Sequence, residues 1–336
     1  MLIVEKEKLK KFYGKHVGVE RKNCGISVVD VITGTAYSSI AGGFLVMNES
    51  KRTCIITGAN SGIGKSAAFQ IAGKGLRVIL ACRNIAQAEA VCTQIKSKTG
   101  NAEVFARKVD LSLVADAKRF AREFAQEFGS LNILINNAAD FDLSRKKPLL
   151  TAEGNEVQFA TNLLSPFVLM QELLPLMEQG GNGKIINIGT QGLIAYPNII
   201  FDFDNIRGQK SYSPDKVYYQ TKLGLLMISL ALRRRVTDSS VSVYAIRVTN
   251  VKVDISRYPD ISPLLKTMYQ LKSRFSISPE DMAKVYTILA TEEKNTGFCY
   301  DEKVREVHCN KNAYDIAAQE RLWQLCEQLS EFHSES

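Results

Sequence analysis

Tyr218 and Lys222 stand four residues apart in Tyr218-Tyr219-Gln220-Thr221-Lys222, a spacing that puts both side chains on one face of a helix. A phenol, with a reference pKa of about 10, ionises more readily beside an ammonium group. The pair could therefore exchange a proton with a substrate oxygen as general acid or base. Any helix can show such a pair by chance, so the rest of the chemistry has to come from elsewhere in the chain.

Thr57-Gly58-Ala59-Asn60-Ser61-Gly62-Ile63-Gly64 follows a short apolar run, Cys54-Ile55-Ile56, and opens a stretch of good helix formers. Glycines at such a turn let the backbone approach a pyrophosphate, which the free N–H groups and the positive helix end attract. Gly58, Asn60, Ser61, Gly62, Ile63 and Gly64 are thus candidate nucleotide-binding residues. A second apolar run ends in Ala81-Cys82-Arg83. A carboxylate at this point would bind the ribose 2′-hydroxyl of NAD, whereas an arginine pairs with the 2′-phosphate of NADP. Arg83 favours NADP(H) over NAD.

Pro166 lies four residues after Asn162 in an otherwise helical stretch. Proline cannot donate an N–H to the Asn162 carbonyl, and its ring presses on that carbonyl, so the helix is expected to bend there. A freed carbonyl facing Lys222 could hold a water. A kink made only for packing would look the same in sequence.

From Thr53 onward, short continuous apolar runs alternate with amphipathic stretches, the pattern of parallel strands joined by crossover helices. Strands are predicted at Thr53–Thr57, Arg77–Cys82, Glu103–Val109, Ile133–Asn136, Lys184–Ile188 and Val241–Val248. Helices are predicted at Ile63–Lys74, Ala86–Ser97, Leu113–Phe128, Glu153–Glu178 and Lys216–Val236, with further helical stretches at Pro279–Ala290 and Tyr314–Leu329. The simplest assembly is one α/β domain, a Rossmann-type doubly wound parallel sheet with helices on both faces, spanning residues 51–336. A loop at about 249–278, punctuated by Pro259, Pro263 and Pro279, would border the substrate. Residues 1–50 match none of this rhythm. They read as an N-terminal extension, either poorly ordered or lying upstream of a true start at Met47.

With 336 residues, 45% of them apolar and 23% charged, the chain has the composition of a globular protein. Its net charge of +8 is scattered, without the basic and aromatic stripe that nucleic acid would require. Seven cysteines without a C-x-x-C pair, and three histidines, offer little for a disulfide framework or a zinc site. A reducing, cytoplasmic setting follows, with no metal. The charged start, Glu5 to Lys11, does not read as a signal peptide, and Ile26–Met47 is too polar for a spanning helix.

Together these residues resemble the short-chain dehydrogenase/reductase family over about Arg52–Leu329. The glycine turn Thr57–Gly64, Asp110-Leu111, Asn136-Asn137-Ala138 and Tyr218…Lys222 come in that family's order and separations. Ala81-Cys82-Arg83, Phe203–Gly208 and Tyr218–Leu223 look most like its NADP-dependent retinol dehydrogenase-like branch. The resemblance implies hydride transfer between the nicotinamide and a carbonyl or alcohol carbon. Tyr218 would be the proton donor, and Lys222 would hold the nicotinamide ribose. Thr190 would stand where a serine normally polarises the substrate oxygen, and Asn162 would relay through a water. Asn137 and Ala138 would line the cofactor, and Asp110 and Leu111 would meet the adenine. Helix-paired homodimers are common in the family, and peripheral membrane association in this branch.

Some positions depart from the family's pattern. Thr190 adds a methyl to the usual hydroxyl, Ala139 replaces a glycine, Val248-Thr249 replaces Pro-Gly, and Val253 replaces a threonine near the nicotinamide amide. The sequence therefore supports an NADP-dependent oxidoreductase acting on a carbonyl or alcohol of a small lipophilic molecule, in keeping with apolar loop residues such as Phe141, Ile194, Tyr258 and Leu264. The alternative it leaves open is a weakly active cofactor-binding member serving as redox sensor or interaction module.

Overall fold

The computed structural model describes residues 51–252, 276–292 and 296–331, together with the backbone of four strands nearer the N-terminus. Those four strands, β1 (Val17–Lys22), β2 (Gly25–Asp30), β3 (Ala36–Ser39) and β4 (Leu45–Met47), pair in sequence order as an antiparallel meander. They belong to a compact unit of residues 1–51, separate from the unit of residues 52–336.

The larger unit is built on seven parallel strands: β5 (Thr53–Thr57), β6 (Arg77–Cys82), β7 (Val104–Lys108), β8 (Ile133–Asn136), β9 (Gly183–Thr190), β10 (Val241–Val248) and β11 (Cys299–Tyr300). Their spatial order is β11-β10-β9-β8-β5-β6-β7. The order reverses between β5 and β8, which opens a crevice at the carboxyl ends of those strands. Successive residues of a strand point to opposite faces, so a strand covered on both faces has to be apolar throughout. Ile55, Ile79 and Ile185 enter one core, and their neighbours Ile56, Leu80 and Ile186 enter the other. Helices α3 (Val114–Phe128), α4 (Ser165–Gly180), α5 (Pro214–Arg235) and α7 (Ile316–Glu331) supply the first core, through Phe120, Phe167, Leu223 and Trp323. Helices α1 (Gly62–Gly73), α2 (Ile85–Thr99) and α6 (Pro279–Thr291) supply the second, through Ile71, Ile95 and Leu289.

α7 lies across α4 and α5. The Trp323 ring meets Phe167 edge-on at 4.9 Å between centroids, and Arg235 stacks 4.0 Å over the indole. Glu320 pairs with both Arg234 and Arg235.

The helix predicted at Glu153–Glu178 is divided. Glu153 stands outside it, accepting from Val114 N at 2.7 Å and Ala115 N at 2.9 Å, and so caps α3. Glu156 opens the segment by accepting from Gln158 N and Phe159 N. One α turn (Val157–Phe159) follows, then a π-helical turn (Ala160–Leu164), before α4 begins. The Ser165 N–H bonds Ala160 O, five residues back, which is how the chain accommodates Pro166.

The short β11 is unforeseen, because two residues carry no periodicity. It pairs Cys299 with Ala245 and Tyr300 with Ile246. The turn after it is organised by the buried Asp301, which accepts from Lys303 N at 2.9 Å, Arg305 N at 3.0 Å and the Arg305 guanidinium at 2.6 Å. Asp301→Ala should cost about 2 kcal/mol of stability. A thermal melt unchanged by that substitution would refute this anchoring role.

The loop at 249–278 is described at its ends, where Lys252 N donates to Ile277 O and Ile277 N to Asn250 O, each at 3.0 Å. Val253, Tyr258 and Leu264 lie outside the described residues. No described helix is long and apolar enough to cross a membrane.

Candidate active site

The crevice is a groove of about 1120 Å³, and every nucleotide-binding candidate read from the β5, β6, β7 and β8 ends lines it: Gly58, Asn60, Ser61, Gly62, Ile63, Gly64, Arg83, Asp110, Leu111, Asn137 and Ala138. Its glycines are dictated by space and backbone. Gly58 has φ +65°, and a Cβ there would lie 3.0 Å from Ala138 Cα. A Cβ on Gly64 would come within 2.5 Å of Asn137 Nδ2. α1 starts at Gly62 with no side-chain cap from Ser61 and no acidic residue in its first turn. Its free N–H groups and positive end therefore open on the groove, which fits a pyrophosphate. Arg83 is exposed at the groove wall and has no ion-pair partner among the described residues. Asp110 uses one carboxylate oxygen to accept from Ser112 N and Oγ.

Asn137 braces the turn. Its N–H donates to Thr57 Oγ1 and its Nδ2 to Thr57 O, both at 2.9 Å, and the Ala138 N–H joins the same hydroxyl at 3.0 Å. A residue the sequence reading missed completes this brace. Tyr286 of α6, fully buried, donates its hydroxyl to Asn137 Oδ1 at 3.2 Å. Burial pushes that phenol well above the usual tyrosine range.

Tyr218 and Lys222 are not among the residues lining this groove; they share one face of α5, with the ammonium 5.8 Å from the phenol ring centroid. Lys222 is buried and donates to Ile188 O at 2.8 Å, and no carboxylate pairs with it among the described residues. Loss of water lowers its pKa from 10.5 to about 8. Phe141 covers the Tyr218 ring, with centroids 4.2 Å apart.

Asn162 links the loop at Asp140 to α5. Its Oδ1 accepts from Asp140 N at 2.7 Å, while its Nδ2 donates to Asp140 O at 2.9 Å and to Thr221 Oγ1 at 3.2 Å. Thr221, between the two α5 residues, donates in turn to Tyr218 O at 2.7 Å. The side chain of Asn162 thus fastens the loop carrying Phe141 to the helix carrying Tyr218. This could not be read from sequence, because it joins segments far apart in the chain.

Thr190 ends β9, two residues beyond the carbonyl that holds Lys222. Its Oγ1 accepts from Gly192 N at 3.1 Å, and it lines a second cavity of about 300 Å³ with Leu193, Ile194, Leu226 and Arg247. Ala139 is exposed on the first groove, and Thr249 donates its hydroxyl to Gln191 Oε1.

Comparison with known proteins identifies the family. A family profile described as short chain dehydrogenase matches residues 52–201. Retinol dehydrogenase 11 of Mus musculus is 32% identical over 242 residues, 72% of this chain and 74% of that protein. Retinol dehydrogenase 13 of Mus musculus is 31% identical over 309 residues, 89% of this chain and 91% of that protein. In fold, the L-sorbose reductase of Gluconobacter frateurii, solved with NADPH and L-sorbose, superposes with a TM-score of 0.61 at 21% identity over 75% of this chain and 95% of that one. Kinship of this extent, over a doubly wound sheet whose crevice carries the matching residues, places the chain in the short-chain dehydrogenase/reductase family of oxidoreductases, in its retinol dehydrogenase-like branch.

Proposed function

We propose that the protein is an NADP(H)-dependent oxidoreductase that interconverts a carbonyl and an alcohol on a small lipophilic molecule. The observation that carries this reading is the buried, carboxylate-free Lys222 one helical turn from Tyr218, beside a groove with an uncapped helix start. Burying a cation without a counter-charge is costly, and a group kept at that cost points to a functional site.

The groove residues fit the cofactor. The N–H groups at the start of α1 would hold the pyrophosphate, Arg83 the 2′-phosphate, Asp110 and Leu111 the adenine side, and Lys222 the nicotinamide ribose. When bound, the nicotinamide supplies or takes up the hydride. Tyr218 would give a proton to the substrate oxygen in reduction and remove it in oxidation. The Thr190 hydroxyl would hydrogen-bond the same oxygen, and its methyl would narrow the space for substrate. The carbonyl of Asn162, deprived of a Pro166 N–H, would hold a water on the path to Lys222.

Exchange of Arg83 tests the cofactor assignment. A guanidinium–phosphate contact contributes about 1.5–3 kcal/mol, so Arg83→Asp should weaken NADPH binding on the order of 10- to 100-fold while improving NADH. Equal NADPH titration curves for wild type and Arg83→Asp would reject that role. Retinol dehydrogenase relatives support the lipophilic substrate. NADPH consumption over a panel of aliphatic, aromatic and polyene aldehydes tests it, and a preference for polar sugars would overturn it. Phe141 over the Tyr218 ring favours one second reading, a cofactor-binding member with little turnover. Tight NADPH binding without Tyr218-dependent turnover on any substrate would select it.

The six described cysteines are free thiols, which supports a reducing, cytoplasmic setting.

A further inference from the structure

The second cavity holds two sulfur atoms that hydride transfer does not use. Cys299 at the start of β11 and Cys309 ten residues later both line this space of about 300 Å³. Each thiol acts on the other's protonation more strongly than any other group does. The chain folds back on β11, where Val307 N donates to Cys299 O at 2.8 Å, and two residues on Cys309 N donates to the Tyr314 hydroxyl at 3.1 Å.

The two thiols are chemically unequal. Cys299 is buried, and the Cys309 thiol together with that burial holds its own proton firmly. Cys309 is half-buried, and the Cys299 thiol lowers its pKa despite partial burial, with the Tyr314 hydroxyl helping. Arg247 of β10 lines the same cavity, its Nε is buried without a hydrogen-bond partner, and its positive charge favours a thiolate at either sulfur. Asp301 opposes this at Cys299, while His308 and Lys311 complete the ionisable lining. The remaining described cysteines differ: burial pushes Cys82 and Cys92 up to about 11, and Cys54 and Cys326 higher still.

We propose that Cys309 and Cys299 form a thiol–disulfide exchange site in which the accessible Cys309 attacks and the buried Cys299 resolves. The oxidant class is a low-molecular-weight disulfide. The Cys309 thiolate attacks one of its sulfurs, forming a mixed disulfide and expelling one small thiolate. Cys299 gives its proton to that thiolate and attacks the Cys309 sulfur, closing the protein disulfide and expelling the second small thiolate, which takes up from solvent the proton Cys309 had given to it. Two protein thiols are oxidised, and one small disulfide is reduced to two thiols.

The full chain, treated with glutathione disulfide, blocked under denaturing conditions and peptide-mapped by mass spectrometry, tests the proposal. The expected product is a Cys299–Cys309 linked peptide pair, lighter by two hydrogens than the reduced peptides. Cys299→Ser should stop at a lasting glutathione adduct on Cys309, and Cys309→Ser should lose both products. Arg247→Gln should slow adduct formation. Wild-type protein that yields no Cys299–Cys309 link, or links other cysteines instead, overturns the proposal without reliance on any variant's folding.

Discussion

Tyr218→Phe should lower kcat/KM by about 10²–10⁴-fold, the usual share of general acid–base catalysis, with NADPH affinity close to wild type. The substitution removes one oxygen and keeps the ring that packs on Phe141 at 4.2 Å, so the covering contact survives. The Lys222 ammonium also stays in place, because its hydrogen bond runs to Ile188 O and not to the phenol. Single-turnover reduction with saturating NADPH separates chemistry from binding. A variant with near-native turnover would remove Tyr218 from the reaction and, with it, the proposed function.

Lys222→Met should do two things of opposite sign. Activity falls on the order of 10²-fold or more, since the buried charge beside the phenol is lost. Stability at neutral pH rises. The folded pKa of about 8 lies below the ordinary 10.5, so the unfolded chain binds the proton more tightly and burial of the cation opposes folding. The penalty is complete below pH 8, shrinks as pH rises through the window from about 8 to 10.5, and is gone above it. Its ceiling is about 3 kcal/mol, and the Ile188 carbonyl left unpaired by methionine returns about 1–2 kcal/mol of that. The net gain at pH 7 is about 1–2 kcal/mol. Denaturant melts of both proteins across this range should show the wild type gaining on the variant as pH rises. A gap independent of pH would mean that Lys222 is not held as a desolvated cation.

The sheet was legible because its strands are covered on both faces. Runs such as Cys54-Ile55-Ile56 and Val78-Ile79-Leu80 have no polar residue to blur their limits. β11 was not, since two residues cannot display a pattern. Pro166 marked the correct place for an irregularity next to Asn162, but the chemistry of proline does not choose between a kink and a π turn. Tyr218 and Lys222 were readable because they are local on one helix. Phe141 was read as an apolar loop residue but not as the cover over Tyr218, and Tyr286 was not read at all, because Phe141 reaches Tyr218 from a loop and Tyr286 reaches Asn137 from α6. Thr190 was reached only through the family resemblance, and nothing in its neighbourhood announced that it would border a second cavity shared with Cys299 and Cys309.

The C-terminal helix alters how the molecule can associate. A helix-paired homodimer, which the resemblance leaves possible, would join through α4 and α5, yet here Trp323 already shields Phe167, and Leu322 sits so near α5 that a methyl on Gly224 would meet it at 3.3 Å. A second copy arriving at that face would have to peel the tail away first, stripping the sole indole of its guanidinium lid. Tryptophan emission followed through a dilution series thus doubles as a gauge of self-assembly.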